Sequence, residues 1–270
     1  MVDRLKSVPL LAAPIQGEFM QTSCPSKIAI LIPCYNEEVT VAEVVRGFKR
    51  RLPQAEVYVF DNSSTDRTAQ LASEAGAVVC REDRRGKGHV VQSMFRQVEA
   101  DIYVMVDGDG TYQASEAQGL IEPILRGQAE MVIGARWTKD SRSKARAVNL
   151  LGNRLFRATV NSLFGAGLND VLSGYRAFSR EFVKGVKLTG GGFETEVELT
   201  IKAVTGGCRV VEVPISLSER PRGSHSKIRV LRDGVAILGA VLSLFREFKS
   251  EQSRVGQTLV CPSDKRSQTD

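Results

Sequence analysis

Residues 28–61 read IAILIPCYNEEVTVAEVVRGFKRRLPQAEVYVFD, and the fold class follows from this stretch. Two short apolar runs, Ile28 to Pro33 and Val57 to Asp61, are rich in β-branched residues, and between them, from about Val39 to Leu52, apolar residues return at helical spacing. The runs have the pattern of buried strands and the segment between them that of an amphipathic helix. Strand, crossover helix and strand form a βαβ unit, which sets the two strands parallel.

The alternation continues along the chain. A helix from about Asp66 to Ala75 leads to a strand at Ala77 to Cys80. A basic, Gly-rich turn then opens a helix near His89 to Val98, followed by a strand at Ile102 to Val106, a helix at Ala114 to Arg126 and a strand at Met131 to Ala135. Between Arg136 and Arg146 the regular pattern lapses. It resumes as a helix near Leu150 to Phe164, a strand around Tyr175 to Phe178, a helix near Glu194 to Ala203 and a strand from Arg209 to Ile215. The expected fold is α/β, a Rossmann-like, mostly parallel sheet flanked by helices. One domain covers 27–250 and ends in a C-terminal amphipathic helix at about 228–250. Residues 1–26 are expected to be a flexible leader and 251–270 a disordered tail.

Composition narrows the function classes. Hydrophobic residues at 42% and charged residues at 25% suit a globular protein with a sizeable core. Lys and Arg outnumber Asp and Glu by 37 to 31, a formal charge of +6 that favours anionic partners without selecting among nucleotides, phosphorylated lipids and a bilayer surface. The five cysteines (Cys24, Cys34, Cys80, Cys208, Cys261) form no CxxC pair and no zinc-type cluster, which fits free thiols in a reduced cytoplasmic setting. Two histidines, His89 and His225, in no Ser-His-Asp order argue against a hydrolase. The apolar stretches Val8 to Ile15 and Val235 to Phe245 fall short of the roughly 20 residues that cross a bilayer.

In open α/β sheets ligands bind beyond the carboxyl ends of the strands, so Pro33 to Glu37, Asp61 to Asp66 and Asp107 to Tyr112 are expected to converge on one crevice. The third of these holds Asp107-Gly108-Asp109, two carboxylates around a glycine that lets a bulky anion approach. Such oxygen ligands suit Mg²⁺ or Mn²⁺, which bind through one or two carboxylates plus substrate phosphate oxygens. The same short segment also reads as an ordinary Asp-Gly turn. Arg84, Arg85 and Lys87 precede a helix whose free N–H groups favour anions. Lys87 is therefore a candidate phosphate contact, with a solvated basic turn as the alternative.

Three segments, Ile-Pro-Cys-Tyr-Asn-Glu-Glu (32–38), Phe-Asp-Asn-Ser-Ser-Thr-Asp-Arg-Thr (60–68) and Val-Asp-Gly-Asp-Gly-Thr-Tyr (106–112), together resemble the family 2 glycosyltransferases of the GT-A fold. Asp-Val-Leu-Ser-Gly-Tyr-Arg (170–176), Gly-Phe-Glu-Thr-Glu (192–196) and Glu-Arg-Pro-Arg-Gly-Ser-His-Ser-Lys (219–227) are similar to the dolichyl- or polyprenyl-phosphate sugar synthase branch. The resemblance runs from about Lys27 to Phe248. It implies a hexosyltransferase that is inverting and dependent on Mg²⁺ or Mn²⁺. The donor would be a GDP- or UDP-sugar and the acceptor a polyprenyl phosphate at the cytoplasmic membrane face. It also implies a nucleotide-binding half at about 27–136 and an acceptor-side half at about 137–227, with no nucleic-acid partner.

Carried over by residue, the resemblance puts Pro33, Tyr35 and Glu37 in the nucleotide pocket. It makes Asp107, Gly108 and Asp109 the diphosphate and metal segment, with Asp107 and Asp109 as metal ligands, and sets Arg136 beside the diphosphate. Arg220, Arg222, Ser226 and Lys227 would form a segment closing over donor phosphates or meeting the lipid phosphate. Where many relatives have two aspartates that contact base and ribose, this chain has Asp61-Asn62, and an amide donates as well as accepts. Asp109, Asp170 and Glu194 are the catalytic candidates. Asp170, Glu194 and Glu196 could serve as a base or position the acceptor, with Glu194 preferred. Two alternatives stand beside this reading: a small soluble or saccharide acceptor, as in glucosyl-phosphoglycerate synthases, and a non-catalytic nucleotide-sugar-binding subunit that partners a membrane protein.

Overall fold

The computed structural model describes residues 26–136, 144–224, 227 and 230–258. The expected leader up to residue 25, residues 137–143 of the irregular stretch, Ser226 with its neighbour His225, and the tail from 259 lie outside the described residues.

Seven strands form one sheet in the order β3-β2-β1-β4-β6-β5-β7. They are β1 (Ile28–Cys34), β2 (Glu56–Asp61), β3 (Val78–Arg81), β4 (Ile102–Met105), β5 (Met131–Arg136), β6 (Arg176–Ser179) and β7 (Val210–Ile215). Neighbours pair in parallel except β6, which runs antiparallel to both β4 and β5. This is the mostly parallel α/β architecture expected from the alternation.

Both faces of the sheet are buried, and strand side chains alternate between two cores. Ala29 and Leu31 of β1, with Tyr103 and Met105 of β4, face one core. Helices α3 (Lys87–Gln97), α5 (Lys144–Phe164), α6 (Arg180–Gly185), α7 (Thr195–Thr205) and α8 (Val230–Thr258) pack onto it. Ile28, Ile30 and Ile32, with Ile102 and Val104, face the other. It is covered by α1 (Val41–Arg51), α2 (Thr68–Glu74) and α4 (Ala117–Leu125).

Several boundaries differ from the sequence reading. Helix α3 starts at Lys87 rather than near His89, because Gly86 at φ 122° takes a backbone conformation open to glycine and the helix begins directly after it. The expected helix at Ala114 to Arg126 opens with a 3₁₀ turn at Ala114–Glu116. Helix α5 begins at Lys144, so the lapse in pattern is shorter than expected, and α8 runs to Thr258, past the expected boundary at 250. Helix α6 was not anticipated. Its signal was Ser179, whose hydroxyl accepts from Phe182 N at 3.2 Å and caps the first turn.

Between the sheet and α7 lies Arg176, fully buried on β6. Its guanidinium donates to Ser173 O at 2.8 Å, Val171 O at 2.9 Å and Thr200 Oγ1 at 2.9 Å, fastening the 171–173 turn to both β6 and α7. Burial lowers its pKa to about 10, against the raising pull of Glu196 and Asp170. Arg176→Ala should lower the unfolding free energy by about 3 kcal/mol, through the cavity and the carbonyls left without donors. Denaturant unfolding checks this, and a loss under about 1 kcal/mol contradicts it.

Candidate active site

The strand order reverses direction between β1 and β4, and the crevice opens at their carboxyl ends. Backbone and side-chain hydrogen bonds stitch the three loops there together. Asn62 N donates to Cys34 O at 2.8 Å, Glu37 N to Thr68 Oγ1 at 2.8 Å, and Thr40 Oγ1 to Gly108 O at 2.6 Å. Two glycines permit the closest approaches. A Cβ on Gly108 would stand 2.5 Å from Cys34 Sγ, and one on Gly174 would overlap the Asp107 carboxylate. The convergence also shows in the field at the buried Cys34 thiol: burial raises its pKa most, and Glu37, Asp61, Asp107 and Asp109 all raise it further.

Each carboxylate of the acidic segment meets a cation. Asp107 Oδ1 accepts from Lys87 Nζ at 2.5 Å, and Lys87 is also ion-paired to Glu196. Lys87 is therefore not a phosphate contact with a free charge but a bridge between two carboxylates; burial opposes its charge and the two acids more than restore it, so its pKa is raised. Asp109 Oδ1 accepts from Thr111 N at 3.0 Å and Thr111 Oγ1 at 2.6 Å, while its Oδ2 pairs with Arg220. Glu37 Oε1 accepts from Lys227 Nζ at 2.9 Å, and Glu37 Oε2 accepts from Ser224 Oγ at 3.3 Å. Arg220 and Lys227 thus link the strap formed by residues 220–224 and 227 to the acidic segment and to Glu37. Arg222 is exposed on the strap.

Asp107 and Asp109 form an oxygen-only, two-carboxylate set that suits Mg²⁺ or Mn²⁺ completed by phosphate oxygens. Among the described residues no group of three or more His, Cys, Asp or Glu gathers that would hold a metal by protein ligands alone.

Tyr35, partly exposed at the end of β1, carries the Arg85 guanidinium 4.3 Å from its ring centroid, a cation–π contact. Pro33, half-buried, lies two positions before it, on β1. Asp61 is buried, and its carboxylate accepts from Ser64 N in its own turn. Asn62 is placed differently from the sequence expectation. Its amide donates to Glu82 O at 2.9 Å and Arg84 O at 2.8 Å and accepts from Gly86 N at 2.8 Å. Both donors serve the 82–86 loop, so in this arrangement the amide clamps that loop rather than offering donors to a base.

The candidate bases also sort themselves. Asp170, 2% exposed, accepts from Arg136 Nε at 2.6 Å and Nη2 at 2.8 Å in a bidentate grip, and also from Arg136 N at 3.1 Å. Burial raises its pKa, but Arg136 outweighs that and holds the carboxyl below its usual range, which makes it an anchor for Arg136 and a poor base. Glu194 turns back to accept from Gly192 N at 2.8 Å in its own loop. Glu196 is the carboxylate tied to the acidic segment, through Lys87.

Sequence reasoning also missed Glu82. Its carboxylate accepts from Arg84 N at 2.8 Å, Arg84 Nε at 3.1 Å and Ser93 Oγ, and chiefly through the Arg84 guanidinium its pKa falls to about 2. A carboxylate depressed in the fold adds stability that is present above its ordinary pKa near 4.5 and is lost as pH falls toward 2. Glu82→Gln should therefore flatten the fall in melting temperature between pH 4.5 and pH 2.5. An unchanged acid profile in the variant contradicts this.

Comparison with known proteins places the chain. The model of Glycosyl transferase family 2 matches residues 29–186. "Glycosyltransferase AglJ" of Haloferax volcanii is 35% identical over 227 residues, covering 84% of this chain and 73% of that protein. "Polyprenol monophosphomannose synthase" of Mycolicibacterium smegmatis is 30% identical over 236 residues, covering 79% of this chain and 87% of that protein. The crystal structure of glucosyl-3-phosphoglycerate synthase from Mycobacterium tuberculosis in complex with Mn²⁺, uridine diphosphate and glucosyl-3-phosphoglycerate superposes with a TM-score of 0.67 at 22% identity. It covers 82% of this chain and 80% of that one, and the likeness shows a shared GT-A-type fold. With the family model covering more than half of its length and relatives aligned over most of it, this chain belongs to glycosyl transferase family 2 and is a glycosyltransferase.

Proposed function

We propose that the chain transfers a hexose, with inversion, from a UDP- or GDP-linked donor to a polyprenyl phosphate at the cytoplasmic face of a membrane. The observation that carries this reading is that all three carboxylates offered by the sequence as a base are committed: Asp170 to Arg136, Glu194 to Gly192 N and Glu196 to Lys87. A phosphate acceptor is ionised near neutral pH and needs no general base, whereas a hydroxyl acceptor needs one. The likeness to polyprenol monophosphomannose synthase supports the same acceptor class.

In this reading the half at 27–136 binds the nucleotide. Tyr35 stacks on the base after Arg85 yields its ring face, and Asp61 adjoins the ribose. Arg136 and Arg220 grip the diphosphate oxygens, where guanidinium geometry allows bidentate contacts. Asp107 and Asp109 would hold Mg²⁺ or Mn²⁺, which neutralises charge developing on the leaving diphosphate. Arg220 then exchanges Asp109 for phosphate. The acceptor's phosphate oxygen attacks the anomeric carbon from the face opposite the diphosphate, in the half at 137–227.

Helix α8 supports docking at a lipid surface. Ile237, Val241 and Leu244 pack on the body, while Val235, Leu238 and Leu242 form an apolar stripe left exposed. No helix among the described residues is long and apolar enough to cross a membrane.

The test is transfer of radiolabelled sugar from UDP- and GDP-hexoses into an organic-extractable product, with polyprenyl phosphate and Mn²⁺ present. Label passing only to 3-phosphoglycerate sinks the lipid acceptor and favours the soluble one. Asp109→Ala should lower kcat/KM by on the order of 100-fold or more while the melting temperature moves little. Full activity in that variant overturns the role given to the acidic segment.

A further inference from the structure

Beyond the crevice, on the edge strand β7, lies a carboxylate that none of the site assignments uses. Glu212 Oε1 accepts from Asn169 N and Asp170 N, each at 2.8 Å. Its Oε2 accepts from Asn169 N and Asn169 Nδ2, each at 2.9 Å. Three N–H donors of one two-residue turn are thus gathered on a single carboxylate more than forty positions away in sequence. The turn they hold is the one that presents Asp170 to Arg136.

We infer that Glu212 is a positioning residue for the diphosphate-binding guanidinium of Arg136, acting through the Asn169–Asp170 turn. The inference rests on the assignment of Arg136 to the donor diphosphate and extends it to a residue outside the crevice.

The geometry makes a continuous chain of rigid contacts. Arg136 ends β5, and its register partner on β7 is Ile215, three residues beyond Glu212. The Asp170 side chain takes Nε, Nη2 and the main-chain N of Arg136, so the guanidinium plane is set by where the Asp170 carboxylate stands. That carboxylate is oriented within its turn by Leu172 N at 3.1 Å. The turn's main chain is fixed on one side by Glu212 and on the other by Asn161 of α5, which exchanges hydrogen bonds with Leu168 N at 3.0 Å and Leu168 O at 2.9 Å. Asn161 acts two residues before Asp170; Glu212 acts on Asp170 itself.

Residue type matters at this position. All three partners are donors, and a carboxylate only accepts, so both oxygens serve. A glutamine would supply one accepting oxygen and turn an NH₂ group toward Asn169 Nδ2. Charge-assisted hydrogen bonds of this kind are the stronger ones, and displacement of a positioned group by about 1 Å can cost up to about 100-fold in catalysis.

The experiment measures binding of UDP and GDP, and of UMP and GMP, by calorimetry with Mn²⁺. The proteins are the full chain, Glu212→Ala, Glu212→Gln, Arg136→Ala and the Glu212→Ala/Arg136→Ala double variant. Diphosphate affinity should fall about five- to tenfold in Glu212→Ala and less in Glu212→Gln, with monophosphate affinity unchanged. In the Arg136→Ala background, Glu212→Ala should add nothing to the loss.

A lower melting temperature with the diphosphate-to-monophosphate ratio intact overturns the inference, because Glu212 then only braces the sheet edge. So does a further loss in the double variant. If Arg136→Ala itself leaves the ratio intact, the diphosphate assignment of Arg136 fails first and the role of Glu212 falls with it. Glu212→Gln keeps the test open should the alanine variant not fold.

Discussion

Crowding of like charge at the ends of β1, β2 and β4 is the constraint to which the rest of the site answers. Four carboxylates, Glu37, Asp61, Asp107 and Asp109, act together on one buried thiol. Such a group of anions, partly withdrawn from water, persists only if cations or N–H donors reach it. The chain supplies them from distant segments: Lys87 from the start of α3, Arg220 and Lys227 from the strap, and Ser64 N from the turn after β2. Each of these carboxylates is thereby met by a cation or an N–H donor.

The fold was legible where physics is local. Burial of β1, β2 and β4 on both faces leaves short runs of Ile and Val, and the helices between them show their buried stripes at helical spacing. What escaped was set by single residues. The positive φ of Gly86 moved the start of α3, and the Ser179 cap made α6 from a segment without a strong periodic pattern. The antiparallel entry of β6 between β4 and β5 could not be read from the alternation, because strand direction depends on the connection and not on side-chain pattern.

The site was legible in its residue types and less so in its pairings. Glu37, Asp107 and Asp109 act on one buried thiol and Arg136 feels the charge of Asp107, since all four sit at strand ends or in the loops just beyond. The pairing of Asn62 was not legible because its partners lie 20 to 24 positions on, in a loop whose path the sequence does not disclose. Glu194 and Glu196, two positions apart, point different ways: Glu194 stands just before α7 and folds back on its own loop, while Glu196, in the first turn, faces Lys87. Gly174 belonged to a recognisable motif, yet its purpose, making room for the Asp107 carboxylate, is visible only in three dimensions.

Cys34 lies at the middle of this arrangement, against Gly108 and beneath the acidic segment. Thiol reactivity depends on the thiolate, and here burial and four nearby carboxylates all favour the protonated form. The sulfur is therefore chemically mute: it fills the volume between two loops and neither alkylates nor oxidises readily while the fold is intact. A sulfur so placed works as a spacer. Loss of activity on treatment with a thiol reagent then reports modification at another cysteine or opening of the crevice.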